Sequence, residues 1–309
     1  MKSKLLIILY TIAAISILSG CSSHKVPCSA YSLTNEYSWL NDAMAIAHGF
    51  GEVDGYTVTN CLEAFEQNYQ AGHRFFEVDF MLTSEQTAVA GHDWLSFYEI
   101  TGRTIPESGS TPPLTLKEFK QSSIHGKYTP VTLTQIIDLM VQYPDMYLIT
   151  DTKDTVDPMI TNTFTQIVNT ATATDPAVLD RIIPQIYNNE MYDIIYKIHP
   201  WKSVIYTLYN QGMEFSYDDV FDFALSKGIK VFTTFPARSD LTFIDKVHAS
   251  GGYVFMHTFN DTDTVRDFIY SHDICGVYTD SLSNTEIKQT FQRTIAQKYG
   301  KLFLYSDAE

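Results

Sequence analysis

The chain has 309 residues, of which 45% are hydrophobic and 18% charged. That composition excludes disorder, which needs low hydrophobicity and high charge, and the length suits one large α/β domain with additions. With 21 Lys+Arg against 36 Asp+Glu the formal net charge is −15, the wrong sign for a nucleic-acid partner.

Lys2 and Lys4 precede an almost wholly apolar run from Leu5 to Leu18. The run is too short and wrongly flanked for a spanning helix and reads as a secretory leader. Leu18-Ser19-Gly20-Cys21 follows and resembles a bacterial lipobox. The resemblance implies a signal peptide over residues 1–20, acylation of Cys21, a polar tether over 21–37 and a domain over 38–309. Two acyl chains anchor stably where one is marginal. The protein is then expected at the bacterial cell envelope, lipid-anchored, facing outside the cytoplasm and monomeric. An ordinary secretory leader with an incidental cysteine is the alternative. The remaining cysteines, Cys28, Cys61 and Cys275, have neither a CxxC pair nor zinc-site spacing. Such a compartment permits a disulfide, and an odd count leaves at least one thiol free.

Beyond the leader, short apolar runs alternate with helical stripes. The runs lie at 43–49, 75–80, 87–93, 146–153, 182–187, 203–209, 229–235, 252–258 and 275–280. They read as buried parallel strands ending in Gly, Asn or charge. The first stripe, Leu62, Phe65 and Tyr69, follows Asn60 as its expected N-cap, with Glu63 in a capping-box position. Thr132 is expected to cap the second, Leu133 to Met140. Further stripes lie at Ile160 to Val168, Met191 to Ile198, Val220 to Leu225, Leu241 to Val247, Val265 to Ile269 and Ile287 to Ile295. Strict alternation over about 240 residues predicts a (β/α)8 TIM barrel, with a doubly wound sheet as the alternative. Nine runs compete for eight places. The third follows the second too closely for a crossover helix, so it reads as the return arm of a β-hairpin. Residues 94–130 show no long periodicity and read as an elaborated loop.

A barrel builds its active site at the C-terminal ends of its strands. Those ends carry His48, Glu77 and Asp79, His92 and Asp93, Asp151 and Lys153, Gln185, His257 with Thr258 and Asn260, and Asp280. Glu77 and Asp79 are two apart on a strand and face one side, among apolar neighbours where unpaired carboxylates are costly. A hard cation offsets that cost, and oxygen ligands suit Mg²⁺ or Ca²⁺. Asp151 offers a third oxygen. The alternative is a structural network with Lys153 and Arg74. His48 and His92 are candidates for a general acid and base near neutral pH.

In order, Ala47-His48-Gly49, Thr59-Asn60-Cys61, Glu77-Val78-Asp79, Gly91-His92-Asp93, Asp151-Thr152-Lys153, His257-Thr258-Phe259-Asn260 and Gly276-Val277-Tyr278-Thr279-Asp280 resemble the motifs of the glycerophosphodiester phosphodiesterase family, part of the phosphatidylinositol-specific phospholipase C-like superfamily. The resemblance implies hydrolysis of a glycerophosphodiester or phospholipid head group. It makes Glu77, Asp79 and Asp151 ligands of one divalent cation, Ca²⁺ or Mg²⁺. Lys153 adds charge at the phosphate, and His48 and His92 are the acid–base pair. Asn60, Gln185, His257 and Asn260 are expected at the substrate. The sequence departs from the pattern in four places. The family arginine after the first histidine is missing, with Gly49 and Phe50 standing there, the glutamate before Asn60 is Thr59, the third carboxylate is Asp151 rather than Glu, and a tryptophan is replaced by His257. Two other readings stay open: a metal-independent phosphatidylinositol phospholipase C, and a non-catalytic surface lipoprotein that binds head groups.

Overall fold

The computed structural model describes residues 35–208 and 216–299. The leader, Cys21 and Cys28 lie outside them. All nine expected strands form: β1 Ala45–Ala47, β2 Phe75–Leu82, β3 Ala88–Ala90, β4 Tyr147–Thr152, β5 Ile182–Ile186, β6 Ile205–Thr207, β7 Val231–Thr234, β8 Tyr253–Met256 and β9 Gly276–Thr279. Eight of them pair in parallel, and β1 bonds both β9 and β2, which closes the ring. The result is a (β/α)8 barrel. β3 stays outside, antiparallel to β2 with Phe80 opposite Ala90 and Leu82 opposite Ala88. Phe80 also pairs with Thr152 of β4, so β3 occupies the other edge of β2, the edge β1 uses lower down. The hairpin thus returns toward the end of β1.

The helices follow their stripes. They are α1 Leu62–Gln70, α4 Leu133–Gln142, α5 Met159–Thr174, α6 Asn189–Ile198, α7 Tyr217–Lys227, α8 Leu241–Ala249, α9 Thr262–His272 and α10 Asn284–Tyr299. Thr132 caps α4 as expected, and Gln135 completes a reciprocal capping box with it. At α1 the expectation fails. Cys61 is the N-cap, its Sγ accepting the Ala64 N–H, and Glu63 bonds Thr129 instead. The segment read as an elaborated loop holds two short helices, α2 Trp94–Ile100 and α3 Leu116–Gln121. At two turns or fewer neither can show a period, although Asp93 and Thr115 cap them as side-chain acceptors.

One apolar layer lies between strands and helices and a second fills the barrel. A 3-10 segment, Asn35–Asn41, closes the N-terminal end and begins inside the stretch read as tether. Its Tyr37 and Trp39 are buried because they plug the barrel. Trp39 packs on Phe75 and Phe255 and donates to Ser203 Oγ at 3.0 Å, and Tyr37 donates to Gly228 O at 2.8 Å. Cys61 is a free buried thiol, whereas Cys275 is disulfide-bonded. Among the described residues no helix is long and apolar enough to cross a membrane.

Candidate active site

The open end of the barrel gathers the strand-end residues. Strand alternation sends Glu77 and Asp79 of β2 inward, and the register sets Asp79 beside Asp151 of β4. All three are buried, and they can offer oxygens within 4.8 Å of one another. Each carboxylate is held differently. Glu77 Oε2 accepts the Gly49 N–H at 2.7 Å, while its Oε1 has no hydrogen-bond partner. Asp79 Oδ2 accepts from Asn60 Nδ2 at 2.9 Å, and the Asp79 N–H donates to Asn60 Oδ1 at 3.1 Å. Asp151 accepts from Lys153 Nζ at 2.6 Å on one oxygen and from the Tyr187 hydroxyl on the other. Lys153 Nζ also lies 2.7 Å from Asp79 Oδ1.

These contacts set the charges. Burial, and then the charge of Asp79, pushes the Glu77 carboxyl up to about 8. Asp79 is also penalised by burial, but Lys153 and the two histidines hold its pKa below the usual range. Burial works to lower the Lys153 pKa, and Asp151 and Asp79 more than reverse it. Glu77 keeps one oxygen without a hydrogen-bond partner beside the two aspartates, and such a hard, all-oxygen donor set fits a divalent cation.

His48 sits where β1 ends, in a turn that puts the next amide, Gly49, on Glu77. Its Nδ1 donates to Asp280 Oδ1 at 2.8 Å, which leaves Nε2 as the ring's free nitrogen. Burial tends to lower the His48 pKa, but the Asp280 bond and the charges of Glu77 and Asp79 prevail and hold it at about 9. Asn260 clamps Asp280 twice, donating to Oδ2 at 2.7 Å and accepting the Asp280 N–H at 2.8 Å. His92 follows Gly91, whose N–H donates to Asp79 O at 3.0 Å. Its Nδ1 is 2.6 Å from Asp93 Oδ2, and Asp93 is itself fixed by capping α2. The His92 side chain is 44% exposed and the His48 side chain 13%, so His92 stands at the rim and His48 deeper.

His257 packs edge-on against His48, ring centres 4.5 Å apart. Burial, then the positive charges of His48 and Lys153, depress it to about 3, so it is a neutral wall. Asn60 and Gln185, expected at the substrate, are both fully buried. Asn60 spends its amide on Asp79. Gln185 Oε1 accepts the Tyr278 hydroxyl at 2.6 Å, leaving its Nε2 without a partner. Their bonds therefore act on the site's own groups. Tyr187 escaped the sequence reading, although it lies two residues past Gln185, on the same inward alternation. Asp280 was seen as a strand end, but its pairing with His48, 232 residues away in sequence, has no local signature.

The β1–α1 loop that delivers this geometry runs repeatedly through left-handed backbone. Gly49, Phe50, Asp54, Val58 and Asn60 have φ of 55°, 68°, 50°, 54° and 51°. For a β-branched residue such as Val58 that is a true outlier, of the kind that accumulates at functional sites. A Cβ on Gly49 would stand 2.8 Å from the Val58 Cα. The position where the family carries arginine is therefore closed to any side chain.

A search of curated protein sequences returned no match to this chain. Solved structures do match. A phosphodiesterase from Oleispira antarctica, in complex with the product sn-glycerol-3-phosphate, is 18% identical with a TM-score of 0.64, covering 83% of this chain and 99% of that one. A glycerophosphodiester phosphodiesterase from Parabacteroides distasonis is 17% identical, TM-score 0.61, covering 82% and 98%. One from Thermotoga maritima is 17% identical, TM-score 0.57, covering 81% and 98%. At these identities the likeness establishes the barrel. Membership rests on the sequence match, which spans residues 53–283, from just after His48 to just past Asp280. The chain belongs to the glycerophosphoryl diester phosphodiesterase family and is a phosphoric diester hydrolase.

Proposed function

We propose that the protein hydrolyses glycerophosphodiesters with one divalent cation, Ca²⁺ or Mg²⁺, held by Glu77, Asp79 and Asp151. One observation carries this reading: three buried carboxylates converge within 4.8 Å beside two histidines, each fixed by its own aspartate. A cation bound there supplies positive charge to the phosphate oxygens as charge develops on them. The chain's own groups do the rest. Lys153, locked between Asp79 and Asp151, adds a fixed positive charge at the phosphate without reorganising. His48 and His92 move protons: one takes a proton from the attacking hydroxyl, and the other gives one to the leaving alkoxide, which is too basic to depart unaided. Asp280 and Asp93 orient the two rings. His257 and Asn260 border the mouth. The Oleispira antarctica relative was solved with sn-glycerol-3-phosphate, which supports the same product here.

The triad opposes a metal-independent phospholipase C, whose resemblance implies an arginine where this site has carboxylates. The lipobox-like Leu18-Ser19-Gly20-Cys21 supports anchoring through Cys21 on the outer side of a bacterial membrane. Incubating the purified protein with a panel of glycerophosphodiesters and lysophospholipids, and reading products by phosphorus NMR, tests the activity. Free sn-glycerol-3-phosphate, or a cyclic phosphate preceding it, is the expected product. No turnover of any substrate by folded protein would favour a head-group-binding lipoprotein instead.

A further inference from the structure

We propose that a latch on the rim of the barrel, Asp54 and Tyr56 against His125, Lys127 and Tyr128, positions the cation site by holding the β1–α1 loop in its left-handed course. This rests on the cation reading above and adds to it residues that act only through the loop.

The loop is fastened to the site at both ends. Gly49 at its start donates to Glu77 Oε2 at 2.7 Å, and Asn60 at its end bonds Asp79 twice. The Asn60 N–H closes the loop on Gly49 O at 3.1 Å. Two of the three carboxylates are thus held by the loop, and its path is strained. Among the described residues seven non-glycines have positive φ, and four of them, Phe50, Asp54, Val58 and Asn60, lie here. Such backbone persists only where its surroundings over-determine it, so contacts outside the loop must hold it.

The inner part is held from α1 and β9. Asn68 donates to Phe50 O at 3.1 Å and to Glu52 O at 2.9 Å, and the Glu52 N–H donates to Asp280 O at 2.6 Å. The outer part, residues 53–58, includes the β-branched outlier Val58. Val53 and Tyr56 exchange backbone bonds of 2.9 Å and make a turn. Among the described residues, every hydrogen bond, ion pair and ring contact by which this outer part reaches beyond the loop goes to residues 125–128. Asp54 pairs with Lys127 and accepts the Tyr128 hydroxyl at 2.7 Å. The Tyr56 ring stacks on His125, centres 3.8 Å apart and 18° from parallel, and meets Tyr128 edge-on. An exposed ion pair alone contributes little. Here the same carboxylate takes a second bond and the stacked rings lie beside it, so the contacts act together. The receiving segment is braced in turn. The His125 N–H donates to Ile100 O at the end of α2 at 2.6 Å, and Thr129 O accepts the Leu62 N–H of α1 at 3.0 Å.

The test compares Lys127→Met and His125→Ala with Lys202→Met, which breaks an exposed pair of the same kind, Lys202–Asp180, between α6 and β6. Hydrogen exchange is followed by mass spectrometry in the cation-free protein, and Ca²⁺ and Mg²⁺ affinity by titration calorimetry. Both latch variants should speed exchange across residues 49–60. They should weaken affinity about threefold to tenfold, below the roughly 10–100-fold expected when a ligand's direct support is lost. Lys202→Met should change neither. Coupling is reciprocal, so saturating cation should restore protection to the loop in the latch variants. Loop exchange unchanged in both latch variants would overturn the latch, and faster exchange with unaltered affinity would overturn its hold on the cation site. A wild-type protein that binds neither ion would refute the cation reading instead, and the exchange comparison would still decide whether the latch holds the loop.

Discussion

Replacing Gly49 with arginine restores the family's residue in name, and the structure says it will do harm. The backbone at Gly49 is left-handed, which costs a residue with a Cβ about 1–2 kcal/mol. The new Cβ would stand 2.8 Å from the Val58 Cα, which is backbone and cannot swing aside. Relieving the overlap displaces the Gly49 N–H from Glu77 Oε2, now 2.7 Å away, and a hydrogen bond to a carboxyl that is mostly neutral at pH 7 contributes about 0.5–1.5 kcal/mol. Together the loss is roughly 1.5–3.5 kcal/mol. For a domain of this size that lowers Tm by roughly 3–14 °C. Calorimetry of Gly49→Arg beside Gly49→Ala checks this. Alanine should carry most of the loss, because the cost lies in the Cβ, and kcat/KM should fall in both. A Gly49→Arg protein with Tm within 2 °C of wild type and higher kcat/KM would refute the reasoning.

Asn60→Ala removes both bonds on Asp79 and should weaken cation affinity about 10–100-fold, as loss of a ligand's support usually does; unchanged affinity by titration calorimetry would rule out the clamp. Glu77 titrates at about 8 in the cation-free protein, so at pH 7 it holds a proton that a bound cation must expel. Affinity should therefore rise with pH, by up to about tenfold per unit below pH 8, and level off above it. Titrations in buffers of different ionisation enthalpy should show about one proton released at pH 7; flat affinity from pH 6 to 8 would contradict this. His48→Ala and His92→Ala should each lower kcat about 10²–10⁴-fold with little change in the circular dichroism spectrum, and full activity in either would remove that residue from the acid–base pair. Tyr187→Phe should weaken cation binding by less than Asn60→Ala does, since Asp151 keeps Lys153.

The barrel was legible because each βα unit carries its own periodicity and each strand is buried along its length. The hairpin was legible from chain length alone, since no crossover fits between Leu82 and Ala88. Glu77, Asp79 and Asp151 were legible because charge at an apolar strand end is costly enough to demand a reason. The fixings of these groups were not. Asn60 has the sequence context of an N-cap, and only the left-handed turn at Val58 and Asn60 sends it inward to Asp79 while Cys61 takes the cap. The His48–Asp280 pair forms because β1 and β9 are neighbours across the closure of the ring, a contact that no local pattern encodes. The helices α2 and α3 are too short to repeat, so their caps were their only signal.

The central claim is that a cation on Glu77, Asp79 and Asp151 is needed for phosphodiester cleavage. The direct measurement is turnover of one glycerophosphodiester by protein stripped with EDTA, then resupplied with Ca²⁺ or Mg²⁺, alongside Asp79→Asn and Asp151→Asn. The account predicts loss of activity on stripping, recovery with one of the two ions at about one equivalent per chain, and little recovery in either variant. Turnover that ignores EDTA and survives both substitutions would contradict it.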